Sequence, residues 1–326
     1  MEMQENKNTP LVSVYVLTYN HGKFLRQCLD GIIEQKTSFA FEIIAVDDCS
    51  TDDTRVILKE YADSYPSLFR LVLLDENWYS QKRCKTSRIA LPLARGKYLA
   101  ICEGDDFWTY PLKLQRMADG LECNPEYSCF FHSFAVKNET DNPALTYSPR
   151  LPAKKDVDFY DILIEPQIQT ASCLIRLDSL QPFERITEIY EHGHTAPNTD
   201  IILFAILLTK GRIHGIPDKW SVYRIHDKGI WSSQRNGIND IEIINRNIYN
   251  LSCDFPEFSW LLKHKNVADL LSESSRLASK KRYCKSIFLK LKALSIRPQS
   301  FFTMYLKRYF PNSYNRSKWK EPEFQS

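Results

Sequence analysis

Four short apolar runs, residues 11–17, 41–46, 68–74 and 98–102, recur along the first third of the chain with helical signals between them. Rich in Val, Ile and Leu and bounded by polar turns, they read as strands buried on both faces. Residues 23–34 place Phe24, Cys28, Leu29, Ile32 and Ile33 on one helical face. Ser50-Thr51-Asp52-Asp53 forms a capped entry to a second helix through Val56, Ile57 and Tyr61. Residues 86–94 read as a third helix, shortened or kinked by Pro92. Strands alternating with helices at this spacing require right-handed crossovers and a mainly parallel sheet, so the fold class is a doubly wound α/β domain.

The ends of these strands carry residues that packing does not need. Glu103-Gly104-Asp105-Asp106 directly follows the fourth strand, with three carboxylates in four positions. Such groups repel one another, and burying them costs free energy unless they are paired or bind a metal. A hard cation, Mn²⁺ or Mg²⁺, shared with a phosphate-bearing substrate is the simplest remedy. Thr18-Tyr19-Asn20 ends the first strand and Asp47-Asp48 the second. In a parallel sheet all three sets project into one crevice, where open α/β sheets bind ligands. An aromatic ring there can stack on a base, an aspartate can accept the N–H of a uracil-type ring, and the acidic cluster can grip ribose hydroxyls and a metal. Taken singly, each set is also an ordinary turn; their occurrence together at three strand ends is what points to a nucleotide diphosphate.

Composition removes other classes. The ten glycines include no Gly-x-Gly-x-x-Gly and no Gly-Lys-Ser/Thr loop, so nucleotide binding would not use a glycine cradle. Nine scattered cysteines without a Cys-x-x-Cys spacing read as reduced thiols of a cytosolic chain. Residues 1–10 are too polar for a signal peptide, and no apolar run reaches the length of a membrane span. Residues 260–326 hold 15 Lys and Arg against 4 Asp and Glu, whereas the net charge of the whole chain is only +3.

Further along, 113–121 reads as a helix, 128–136 as a strand, 137–155 as an exposed loop and 172–176 as a strand. An apolar helix, 201–208, follows Asp200 and stops at Gly211, and 220–226 reads as a closing strand. From 238 to Pro298 the signal is helical and basic.

Pro10-Leu11-Val12-Ser13-Val14 with Thr18-Tyr19-Asn20, Val46-Asp47-Asp48-Cys49-Ser50-Thr51-Asp52-Asp53-Thr54, and Ala94-Arg95-Gly96-Lys97-Tyr98 leading to Glu103-Gly104-Asp105-Asp106 occur in this order. The set resembles the inverting nucleotide-sugar glycosyltransferases of family 2, which have a GT-A fold, over residue 10 to about 235. The resemblance implies a catalytic domain at 1–235, with a nucleotide-binding half at about 10–125 and an acceptor half at about 126–235, and a helical basic region at 236–326. It implies that Thr18, Tyr19, Asn20 and Asn77 contact the donor and that Asp47 or Asp48 reads the uracil. Asp105 would be the metal ligand, with Glu103 and Asp106 as ribose or metal neighbours. Glu103 replaces the more usual Asp, Cys49 a usual Gly, and Arg88 a common Asn; the arginine could instead meet a phosphate.

An inverting transfer needs one base to take the proton of the attacking hydroxyl. Asp200 matches the family's catalytic aspartate; by itself it would read as a helix N-cap. His226, in Tyr223-Arg224-Ile225-His226-Asp227-Lys228-Gly229, is similar to a family histidine that reaches the metal or diphosphate. Glu191-His192-Gly193-His194 lacks further zinc ligands and reads as an acceptor-side loop, and 167–172 lines the acceptor cleft by resemblance.

The expected activity is metal-dependent hexosyl or N-acetylhexosaminyl transfer from a UDP-sugar to a glycan or lipid-linked glycan, in the cytoplasm and at the inner face of the membrane. A non-catalytic nucleotide-binding scaffold and a sugar nucleotidyltransferase are the rivals. Intact Asp105, Asp200 and His226 disfavour the first, and the absence of a glycine-rich, lysine-bearing loop near residue 20 disfavours the second. The stretch 283–308 mixes aromatic and aliphatic residues with Lys and Arg, as a peripheral membrane helix would; no motif supports nucleic acid.

Overall fold

The computed structural model describes residues 9–140, 156–164, 168–191, 199–227, 229, 248, 250–279 and 283–297. Residue 167, the loop 141–155, His192 and His194, nearly all of 228–247 and the chain beyond 297 therefore lie outside the described residues. The chain divides into two compact units, residues 1–239 and 240–326.

The first unit is built on one sheet of nine described strands. In chain order these are β1 (Val12–Thr18), β2 (Phe41–Asp47), β3 (Phe69–Leu73), β4 (Tyr98–Glu103), β5 (Phe107–Trp108), β6 (Tyr127–Asn138), β7 (Asp156–Val157), β8 (Cys173–Arg176) and β9 (Arg212–Ile225). Their spatial order is β3-β2-β1-β4-β8-β6-β9-β5, with β7 on β9. The four strands expected from the apolar runs pair in parallel, and β6 pairs in parallel with β9. Strand β8 enters antiparallel between β4 and β6, and β5 and β7 pair antiparallel with β9. Helices flank this sheet, in keeping with the expectation from the family resemblance.

Val12, Val14 and Val16 of β1 pack in a core with Leu25, Cys28, Leu29 and Ile32 of helix α1 (Gly22–Ile33) and Leu58 of α2 (Thr54–Ser64). Tyr15, on the other face, is buried beside Cys84 and Thr86. Both faces of β1 are therefore covered, which is why its sequence is apolar at nearly every position rather than alternating. The third expected helix appears as a π-helical turn, Thr86–Ala90, followed by the single turn α3 (Leu91–Leu93). Pro92 has no N–H to donate, which accounts for the shortening.

Helix α4 (Lys113–Cys123) precedes β6, short helices α5 (Phe159–Ile164) and α6 (Phe183–Glu191) flank β8, and α7 (Thr199–Lys210) leads into β9. The apolar helix thus begins before Ile201, and Asp200 lies within its first turn instead of ahead of it. The closing strand is longer than the 220–226 signal, because the stretch from Arg212 also pairs with β6 despite three register shifts. In the second unit, the helices Ser259–Ser279 and Tyr283–Ile296 pack through Val267, Leu270, Leu289 and Ala293.

Candidate functional site

Parallel pairing aligns the three polar strand ends. Thr18 stands opposite Asp47, and Leu17 opposite Glu103. Asp47 is fully buried and all its acceptor positions are taken: Thr18 Oγ1 donates at 3.1 Å, the Ser50 amide at 3.0 Å and Arg55 Nε at 2.6 Å, and Ser50 Oγ donates as well. Asn20 adopts a left-handed φ of 55°, and its Oδ1 accepts from the Thr51 amide at 2.8 Å. Thr18, Asn20 and Asp47 are thus committed to joining the two turns. Tyr19, between them, remains 46 % exposed and offers a free ring face. Cys49 is also left-handed, at φ 64°, which explains why glycine is the usual family residue there.

Asp48 ties down the following loop. Its Oδ1 accepts from the Trp78 amide at 2.7 Å, and its Oδ2 from the Tyr79 amide at 3.1 Å and from Lys85 Nζ at 2.6 Å. Three donors leave one acceptor position on this carboxylate. Asn77 closes the turn, donating to the Asp48 carbonyl at 3.3 Å and accepting from the Ser80 amide at 2.7 Å. Arg88 makes a two-pronged ion pair with Glu191, Nε to Oε1 at 2.7 Å and Nη2 to Oε2 at 2.5 Å. Its guanidinium is therefore engaged by α6.

The three carboxyls of the acidic cluster and Asp200 occupy four environments. Asp105 Oδ2 lies 3.0 Å from His226 Nε2 and 3.6 Å from His21 Nε2. Burial would raise its pKa, but the two imidazoles outweigh that and hold it below the usual carboxylate range. Asp106 turns inward: Gln169 Nε2 donates to Oδ2 and the Arg224 amide to Oδ1 at 2.8 Å, fastening β9 to the β4–β5 turn. Burial, then repulsion from Asp105 and Glu103, pushes its carboxyl well up. Glu103 accepts from Thr170 Oγ1 through one oxygen, while Oε2 is buried without a hydrogen-bond partner. Burial raises its pKa to about 7, opposed by the Thr170 bond and assisted by Asp200 and Asp105. Asp200 keeps some accessible surface, yet protein surrounds its carboxyl and burial alone raises it to about 6.

Gly104 makes this arrangement possible. A Cβ there would meet Thr18 Cγ2 at 2.8 Å and His21 Nδ1 at 2.9 Å, so a side chain at this position would push the β1 and β4 ends apart.

Asp105 and His226 suit a divalent cation. Two cis ligands at about 2.1 Å from an octahedral metal stand about 3 Å apart, the separation observed between Asp105 Oδ2 and His226 Nε2. Among the described residues no group of three or more His, Cys, Asp and Glu is arranged to hold a metal.

Residues 13–180, more than half of the chain, match the family described as Glycosyl transferase family 2. The chain belongs to that family. An uncharacterized protein of Mycobacterium tuberculosis is 35% identical over 226 residues, covering 68% of this chain and 61% of the relative, so the chain spans about three fifths of that relative's length. TuaG, named for teichuronic acid biosynthesis in Bacillus subtilis, is 34% identical over 122 residues, 37% of this chain and 45% of TuaG. Among solved structures, S. aureus TarS 1-349 in complex with UDP-GlcNAc superposes with a TM-score of 0.59 at 17% identity, covering 91% of each chain. The mannosyltransferase PcManGT from Pyrobaculum calidifontis, in complex with GDP-Man and Mn²⁺, superposes at 0.55 with 19% identity, covering 93% of this chain and 81% of that one. At these identities the two structures establish a shared GT-A fold.

The family 2 crevice contains residues that sequence reasoning passed over. His21 was legible only as part of a turn, although its place directly after Thr18-Tyr19-Asn20 puts it at the same strand end. Burial lowers its pKa, against the pull of Asp105. Lys85 reaches Asp48 from a distant segment and carries no local signal, whereas Gln169 and Thr170, which reach Asp106 and Glu103, belong to the 167–172 segment expected at the acceptor cleft.

Proposed function

We propose that this chain transfers a sugar with inversion from a nucleotide diphosphate donor, a UDP-sugar, to a glycan acceptor. The observation that carries the reading is a divided set of carboxyl groups in one crevice: Asp105 is held ionised by two imidazoles, whereas Asp200 is raised to about 6 by burial. Such a separation is how one site provides both a fixed anion and a proton acceptor near neutral pH.

The exposed ring of Tyr19 stacks on the base. Asp48, with one acceptor position left, reads the uracil N–H; Asp47, with none, holds the turn. Asn77 shapes the donor loop and Glu103 faces the sugar–ribose side of the crevice. Asp106, bonded to Gln169 and to the Arg224 amide, anchors the turn that carries Asp105. Asp105 and His226 would hold Mn²⁺ or Mg²⁺, which when bound would supply positive charge against the diphosphate. Asp200 takes the proton from the acceptor hydroxyl as its oxygen attacks the anomeric carbon and the C–O bond to the diphosphate breaks. The transferred group is a hexosyl or N-acetylhexosaminyl unit, and the acceptor is a lipid-linked precursor of a surface polysaccharide, in line with the teichuronic acid naming of TuaG. The reaction runs in the cytoplasm.

Binding of UDP-, GDP- and dTDP-sugars with and without Mn²⁺, followed by calorimetry and by transfer of labelled sugar, tests this reading. UDP-sugars should bind best with Mn²⁺, and Asp105→Ala should abolish the metal-dependent part of that affinity together with turnover. Equal UDP affinity with and without Mn²⁺ in the parent protein would sink the metal assignment.

A further inference from the structure

In the second unit, the helix Tyr283–Ile296 covers only one of its sides. Leu289 and Ala293 pack against Val267 and Leu270, and Ser286 Oγ lies 2.9 Å from Ser274 Oγ on the same side. The opposite arc carries Tyr283, Ile287, Phe288 and Leu291, exposed by 59, 56, 59 and 61 %. Eight large hydrophobic residues are exposed among the described residues, and these four fall within nine consecutive positions. A scatter of single exposed apolar residues is ordinary, but a contiguous patch on one helical face needs an occupant.

Charge identifies that occupant. At 100° per residue, Lys290 borders the apolar arc on one edge and Lys285 and Lys292 on the other, and the helix contains no acidic residue. We propose that this face lies on an anionic lipid bilayer, with the helix axis in the plane of the surface. Tyr283, Ile287, Phe288 and Leu291 enter the headgroup–acyl boundary, while the lysine stems run along it and raise their ammonium groups to lipid phosphates. The local surplus of 15 basic over 4 acidic residues in 260–326 adds long-range attraction. A second copy of the chain fits less well, because face-to-face pairing would set lysine edges against each other with no carboxylate between them. One short exposed apolar arc edged by lysines, together with a basic field, gives reversible, salt-sensitive attachment. The inference does not depend on the donor or the reaction.

The test is co-sedimentation of the full chain with phosphatidylcholine vesicles, with and without phosphatidylglycerol, across a salt series. Binding should require the anionic lipid and fall as salt rises. Joint substitution Phe288→Ser and Leu291→Ser should lower the partition coefficient by about tenfold or more, with unchanged circular dichroism and melting temperature because both side chains are exposed. Lys290→Glu with Lys292→Glu should weaken binding and flatten its salt dependence. The proposal is overturned if the parent chain ignores anionic vesicles at low salt, or if the doubly serine-substituted chain sediments like the parent. It is equally overturned if the apolar face instead supports a lipid-independent dimer, seen by sedimentation equilibrium, that those serines dissociate.

Discussion

Asp200 and Asp105 are chemically identical side chains made different by their neighbours, and this difference can be measured. Asp200 has a folded-state pKa of about 6 because burial disfavours its charge. Between its unfolded value and about pH 6 the native state therefore holds a proton that the unfolded chain has lost, so this group's contribution to stability declines as pH rises through that window. Asp200→Asn should match the parent's stability at pH 4 and exceed it at pH 7.5 by up to about 3 kcal/mol. The same ionisation supplies the base, so transfer should rise through about pH 6 and then level. In Asp200→Asn that limb should vanish and the rate should fall by about two to four orders of magnitude while donor binding persists. Transfer at the parent rate would reduce Asp200 to a residue of the helix start.

At the scale of elements, the docking of α4 contains an unusual choice. Lys113, its first residue, is fully buried; its ammonium lies 3.8 Å from the centre of the Trp108 ring and has no hydrogen-bond partner. Burial lowers its pKa to about 8. Below pH 8 both native and unfolded forms are charged and the cost of burial is fully present. Above that pH the native state releases the proton first, so this contribution improves stability up to the unfolded pKa. Lys113→Met keeps the volume and removes the charge, and subtracting a lost cation–π attraction of about 2 kcal/mol still leaves a net gain of about 1 kcal/mol at pH 7. A denaturant midpoint below that of the parent at pH 7 would contradict this account. The helix itself was legible from its period, but a lysine in sequence predicts exposure, and its burial follows from Trp108, whose Nε1 is fixed by the Ala171 carbonyl at 2.9 Å.

The whole chain comprises units of unequal cohesion. The first has a core running from Val12 through Leu174, whereas the described core of the second centres on Val267, Leu270, Leu289 and Ala293. Regions with few buried apolar contacts open at lower free energy. Amides of the helices Ser259–Ser279 and Tyr283–Ile296 should therefore exchange about a hundredfold faster than those of β1, β2 and β4 under native conditions. Uniform protection along the chain would show that the two units unfold as one.

The existence of β1 to β4, the helices between them and the gathering of Thr18, Asp47 and Glu103 at one end of the sheet were determined by the sequence alone. Period and turn chemistry are local properties, and parallel connection then places successive strand ends together. Which carboxylate stays free was decided only by tertiary structure. Asp48 meets Lys85, Glu103 meets Thr170, Arg88 meets Glu191 and Asp105 meets His226 across separations of 37, 67, 103 and 121 residues. Hydrogen-bond saturation and desolvation depend on what the folded chain brings within about 3 Å, and no local pattern encodes those neighbours.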